Sequence, residues 1–253
     1  MTIKIDHIGY GNHILVRDIA FTVSPGECLL LAGSNGSGKT TLLKALAGGA
    51  IPSETHGHPR PCKREGPVGE ADGRGRSEAE VVSGGIVPPG QVLFIPTGIP
   101  KVKGFSVREF VRTGCYRESD WAGRLRPRAE TRLEESLKLL GLSHLANRDI
   151  ATLSDGEFQK ACIAVGLTRR AGLLLLDEPT AFLDVENRLM VLRSLQEAAS
   201  ETGTAVIFSS HDLHDALQVA RRVLAITPDG RLLESGPENR EAVLARAFPH
   251  AGW

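Results

Sequence analysis

Residues 33–40 read Gly33-Ser34-Asn35-Gly36-Ser37-Gly38-Lys39-Thr40, a GxxxxGK[ST] segment whose glycines let main-chain amides wrap a phosphate. Its setting narrows the fold. The apolar run at 27–32, ECLLLA, predicts a short buried strand before it. Thr40 to Ala47 predicts a helix after it, with Leu42, Leu43 and Leu46 on one face and Gly48-Gly49 as the stop. A helix that opens on such a loop presents unpaired N–H groups and a partial positive charge, a ready anion site. Lys39 is placed to reach β and γ phosphates, and the Thr40 hydroxyl to bind magnesium.

The rest of the chain predicts an α/β fold with a mostly parallel sheet. Residues 1–24 alternate apolar and polar, predicting short strands joined at Gly9-Tyr10-Gly11-Asn12. Strands are expected at 91–96, 172–176 and 204–208, and helices at 106–113, 129–140, 155–169 and 186–199. Leu133, Leu137 and Leu140 share a helix face that Gly141 ends. Strand and helix are expected to alternate to the end of the chain, as crossover connections in a parallel sheet require. Residues 51–90 stand apart. Fourteen of these forty residues are Gly or Pro, which predicts a loop-rich insert, with His56, His58 and Cys62 on a solvated loop rather than around a metal.

Composition excludes several classes. Lys plus Arg and Asp plus Glu are 30 each in 253 residues, so the basic footprint of a nucleic-acid binder is absent. The four cysteines form no CxxC pair, and a reducing compartment is expected. The opening MTIKIDHIGYGN lacks the apolar core of a signal peptide. No apolar run approaches the roughly 20 residues of a membrane-spanning helix.

Two more segments carry chemistry. In Leu173-Leu174-Leu175-Leu176-Asp177-Glu178, two carboxylates follow a buried strand, at the strand end that faces the ligand crevice of a parallel sheet. Asp177 is placed to hold magnesium, and Glu178 to orient and deprotonate a water. Leu153-Ser154-Asp155-Gly156-Glu157 opens a helix. Ser154 and Glu157 form an S-x-x-E capping box, which explains both without any ligand; the same helix end is also a second anion site. Ser154 lies 115 residues after Lys39, so the two need not serve one phosphate.

Together these segments resemble the ATP-binding cassette family of ATPases over residues 3 to about 235. The family's Walker A and Walker B elements correspond to 33–40 and 173–178, and its signature LSGGQ or LSGGE to LSDGE at 153–157. Ala181-Phe182-Leu183-Asp184 matches the D-loop, and His211, in SSHD, the switch histidine. Tyr10 stands where the family stacks an aromatic on adenine. The resemblance implies a P-loop NTPase core with an N-terminal antiparallel β subdomain. It implies one domain over 1–253, with 98–165 as an inserted helical subdomain. It implies ATP and Mg2+ as ligands, with Thr41 added to the loop's contacts, Thr40 and Asp177 at the metal, and Glu178, His211 and Lys39 in catalysis.

Two positions depart from the family pattern. Thr97 replaces a glutamine, and its shorter side chain would reach magnesium only through a water. Asp155 replaces the first signature glycine. A carboxylate beside a γ-phosphate repels it unless it points away, although SDGE occurs in a subset of importer ATPases.

The stretches TGCYRESDWAGRL and LGLSHLANRDIATLSDGEFQK resemble the ATPases of iron–siderophore, haem and cobalamin importers. That implies a peripheral subunit on the cytoplasmic membrane face, working with a polytopic permease and, through it, a substrate-binding protein. Two copies would pair head to tail, each ATP lying between the loop of one and Ser154, Gly156 and Glu157 of the other. A soluble cassette acting on DNA fits poorly, because 115 residues between loop and signature leave no room for a long coiled coil. Ribosome-associated relatives carry two cassettes in one chain, and this chain has one. A nucleotide-dependent regulator without turnover remains open through Thr97 and Asp155.

Overall fold

The computed structural model describes residues 1–10, 13–48 and 92–250. The expected insert at 51–90, with its His56, His58 and Cys62, lies outside the described residues, as do Gly11 and Asn12 of the first turn.

The chain begins with an antiparallel ribbon, β1 (Thr2–Tyr10) and β2 (His13–Thr22), in which Ile5 faces Ile19 and Thr2 faces Thr22. There follow β3 (Cys28–Gly33), α1 (Lys39–Leu46), β4 (Val92–Ile95), α2 (Val107–Arg112), α3 (Pro127–Leu139) and α4 (Asp155–Thr168). The remainder is β5 (Leu173–Leu176), α5 (Val185–Thr202), β6 (Ala205–Ser209), α6 (Leu213–Val219), β7 (Arg222–Ile226), β8 (Leu232–Ser235) and α7 (Arg240–Ala247). The main sheet has the order β4-β5-β6-β3-β7-β8, parallel except for β8.

The expected strand–helix alternation fails at its end, where β7 and β8 form a hairpin. Thr227-Pro228-Asp229-Gly230 is a strong turn sequence. Gly230 takes φ 73°, and Thr227 N donates to Arg231 O across 2.9 Å. The turn also locks the ribbon to the sheet: Arg17 N donates to Gly230 O at 2.8 Å, and a Cβ at Gly230 would stand 2.6 Å from Leu15 O.

Each central strand is apolar on both faces, as a parallel sheet covered on both sides requires. Leu29, Leu31, Leu173, Leu175 and Ile207 face the ribbon and α1. Leu30, Ala32, Leu174, Leu176, Val206 and Phe208 face the helical side. There α4 packs against α2, α3 and α5. Leu133, Leu137 and Leu140 are buried, and Gly141 closes that helix at φ 70°. Among the described residues, no helix is long and apolar enough to cross a membrane.

Candidate functional site

Strands β5, β6 and β3 are consecutive neighbours and parallel, so their C-terminal ends open on one edge. That edge carries the 33–40 loop, Asp177-Glu178 and Ser209-Ser210-His211.

The loop needs its glycines. Gly36 and Gly38 sit at φ 76° and 99°, the left-handed region that side chains disfavour. A Cβ at Gly38 would also meet Val16 Cγ2 at 3.2 Å, and one at Gly33 would meet Ser37 Oγ at 2.6 Å. Lys39 is buried, and its Nζ donates to Gly33 O at 2.8 Å and Ser34 O at 3.1 Å. Burial pulls the Lys39 pKa below the ordinary lysine value, with Glu178 and Asp177 opposing the shift.

Asp177 is the centre of a hydrogen-bond network. Thr40 Oγ1 donates to its Oδ2 and Ser209 Oγ to its Oδ1, each at 2.8 Å. Its main chain is tied to the end of β4, with Asp177 N donating to Ile95 O at 3.0 Å and Thr97 Oγ1 donating to Asp177 O at 2.7 Å. The Thr97 hydroxyl is thus committed to the Asp177 carbonyl.

Ser209, which sequence reasoning passed over, also accepts from Glu178 N at 2.9 Å. It holds a residue that sits at φ 49°, an uncommon conformation for a side-chain-bearing residue. The only trace of this in the sequence is a serine two places before His211. His211 Nε2 stands in direct contact with Glu178 Oε1.

Lys39, Thr40, Glu178 and His211 line one cavity of about 410 Å³, while Asp177 and Ser209 are not among its lining residues. Tyr10 and Leu15 enter from the ribbon. Asn35, Gly36, Gly38, Lys39, Thr40 and Thr41 form the floor, and Glu178 and His211 stand across from them. The Tyr10 hydroxyl shares a 3.2 Å hydrogen bond with Thr41 Oγ1, leaving its ring half-exposed. Gly33, Ser34 and Ser37 are not among the cavity's lining residues; Gly33 O and Ser34 O accept from Lys39 Nζ instead.

Ser154, Gly156 and Glu157 lie elsewhere. Ser154 caps α4: Glu157 N donates to Ser154 Oγ at 3.2 Å and Ser154 N donates to Glu157 Oε2 at 2.8 Å. That backbone bond holds the Glu157 carboxyl below the usual range. Ser154 and Gly156 border a separate groove with Asp155, Asp184 and Asn187. One chain therefore does not bring this turn to Lys39.

The donor set fits a polyphosphate with a hard divalent cation. Among the described residues Ser37 Oγ is buried without a hydrogen-bond partner in a loop of left-handed glycines, and the Lys39 cation of that loop is buried. Thr40 Oγ1 and the Asp177 carboxylate are oxygen donors of the kind magnesium takes, and would hold it here. Among the described residues no cluster of three or more His, Cys, Asp or Glu side chains could hold a metal alone.

Residues 16–181 match the family model described as ABC transporter. The ferric enterobactin transport ATP-binding protein FepC of Escherichia coli is 28% identical over 229 residues, covering 90% of this chain and 78% of that protein. The zinc import ATP-binding protein ZnuC of Jannaschia sp. is 29% identical over 226 residues, covering 89% and 78%. A nucleotide-free ATP-binding cassette from an ABC transporter superposes with a TM-score of 0.72 at 17% identity, covering 100% of both chains, a likeness of fold.

Proposed function

The chain belongs to the ABC transporter family, whose ATP-binding domains are ATP hydrolases, and on that footing we propose that it powers an importer. It is read as a single ATPase domain with residues 98–165 as its helical part, peripheral on the cytoplasmic face of the inner membrane. It would work with a polytopic permease and, through that, a substrate-binding protein. The cargo class is an iron–siderophore, haem or cobalamin-like compound, a reading supported by the FepC likeness and by the stretch around TGCYRESDWAGRL.

The observation that carries this reading is the separation of two half-sites in one chain. Among the described residues the cavity at Lys39 and the groove at Ser154 have no lining residue in common. A second copy placed head to tail would bring Ser154, Gly156 and Glu157 to the open side of the first copy's cavity.

In that arrangement Lys39, with the amides of Gly33, Ser34, Asn35, Gly36, Ser37 and Gly38, binds the ATP phosphates. Tyr10 stacks on the base, and Thr41 holds Tyr10. Thr40 and Asp177 would hold Mg2+, which neutralises phosphate charge when bound. Glu178 accepts the proton of the attacking water as general base, and His211 fixes the carboxylate that does so. The α4 turn adds positive charge from the second copy.

Glu178→Gln tests the reading. ATP, but not ADP, should drive the variant from monomer to dimer in light scattering, with hydrolysis lost. Near-normal hydrolysis would remove Glu178 from the role. Cargo is tested in proteoliposomes carrying the partner permease, with a ferric siderophore, haem, cobalamin and zinc as separate arms. ATP-dependent uptake of zinc alone would move the chain to the ZnuC-like class.

A further inference from the structure

The two departures from the family pattern, Thr97 and Asp155, are joined by one short segment. Residues 97–101 leave β4 and are fastened at both ends. Thr97 Oγ1 donates to Asp177 O at 2.7 Å. Four residues on, Lys101 Nζ donates to Leu153 O at 2.8 Å and to Asp155 Oδ1 at 2.6 Å, and it lies 5.7 Å from the centre of the Phe158 ring. Between them Gly98 turns the chain at φ 71° and Ile99 packs on the main core.

The Asp155 side chain is 64% exposed. A carboxylate that free could swing across the first turn of α4 and cancel the positive potential of its amides. Lys101 is the one cation that pairs with Asp155 among the described residues, and its own side chain is 25% exposed. It is held by a carbonyl, a carboxylate and a ring together. Its geometry is therefore fixed, unlike that of an isolated surface lysine.

We propose that Lys101 is a positioning residue for the ATP-driven pairing of two copies. It draws the Asp155 carboxylate towards Leu153 and keeps that charge off the Ser154–Glu157 turn, which meets the second copy's ATP. The inference rests on the head-to-tail reading above. Residue 101 does its work without touching ATP, so nucleotide binding by the monomer is independent of it.

The test uses the Glu178→Gln chain and light scattering against MgATP concentration. Lys101→Met should raise the ATP concentration for half-maximal dimer by about tenfold, the scale of an uncompensated like charge at an interface. Lys101→Arg should stay within about threefold of the parent, because the pair keeps its charge. Adding Asp155→Gly to Lys101→Met should restore most of the loss. A purely structural lysine would give no such rescue. ADP titration of the monomers should agree within about twofold throughout.

Unchanged dimerisation in Lys101→Met, or no rescue by Asp155→Gly, overturns the proposal. Should Lys101→Met fail to fold, Asp155→Asn in the intact Lys101 background decides: dimerisation as tight as the parent or tighter supports the proposal, and weaker dimerisation overturns it. A parent that never dimerises with ATP defeats the head-to-tail reading itself, and this inference with it.

Discussion

Thr40 Oγ1 donates a 2.8 Å hydrogen bond to Asp177 Oδ2 across 137 residues of sequence. The helix that opens on the glycine loop and the strand that ends in two carboxylates are therefore joined by the two side chains assigned to the cation. Asp177→Asn can keep this geometry, because the hydroxyls of Thr40 and Ser209 accept as well as donate. The variant should fold, with a melting midpoint within a few degrees of the parent. Its loss is charge, so the Mg2+ concentration for half-maximal hydrolysis should rise by more than about tenfold. An unchanged magnesium titration would remove Asp177 from the metal.

Ser209 is fully buried and serves two partners, Asp177 Oδ1 and Glu178 N. Ser209→Ala leaves both without a bond. The expected cost is about 2–3 kcal/mol for stranded buried polar groups, or a fall in Tm of about 4–12 °C in a chain of this size. Hydrolysis should fall further than Tm alone explains, because Glu178 loses the anchor of its left-handed backbone. Calorimetry beside steady-state rates separates the two; a stability loss with normal kcat would make Ser209 structural only.

Lys39 gives a pH dependence with a definite sign. Burial lowers its pKa, so the nucleotide-free protein loses this charge at a lower pH than an ordinary lysine does. Only the charged form makes a charge-assisted contact with phosphate. ATP affinity should therefore fall as pH rises through that lowered value, with a proton taken up on binding. For folding the sign is opposite: between the lowered and ordinary values the unfolded chain holds the extra proton, so stability rises with pH across that window. Titration calorimetry in buffers of different ionisation enthalpy reads the proton directly. Lys39→Arg should remove the fall, because arginine stays charged.

Cys28 and Cys162 are buried, and burial pushes both thiols up to about 12. Cys115 is raised as well, mainly by burial. At pH 8 the thiolate is the reactive form and is scarce at all three. Native protein treated with iodoacetamide should leave all three unmodified in peptide mass spectra, and urea should expose them together. Labelling of Cys162 in the native protein would mean that α4 opens locally on the timescale of the reaction.

What the sequence made legible follows its periodicities. The strand before the glycine loop, the Leu42-Leu43-Leu46 face and the Ser154–Glu157 capping box all appear at or within a residue or two of where their patterns put them, because each is a local rule. Pro228-Asp229-Gly230 signals the β7–β8 hairpin, a local turn that overrides the expected strand–helix alternation. Long-range partnerships were beyond reach. Thr97 was placed near the site from its strand end, yet its bond to the Asp177 carbonyl depends on the register of β4 against β5, and no local pattern encodes that. Ser209 and Lys101 were invisible for the same reason: a serine and a lysine are ordinary until the fold supplies their partners. The opposite error was also possible at Ser154 and Glu157, where the cap accounts for both side chains within one chain.

Among the described residues β4 is four residues long and hydrogen-bonded to β5 alone, whereas β5, β6 and β3 each have a neighbour on both sides. The sheet thus has a stiff middle, which carries the glycine loop and the carboxylates, and a border that opens at lower free energy. Thr97 and Lys101 follow from that border. In a hydrogen-exchange experiment the amides of β4 should lose protection well before those of β3 and β6. The clock that governs when the α4 turn is released or held would then run on the edge of the sheet, while the phosphate cradle keeps still.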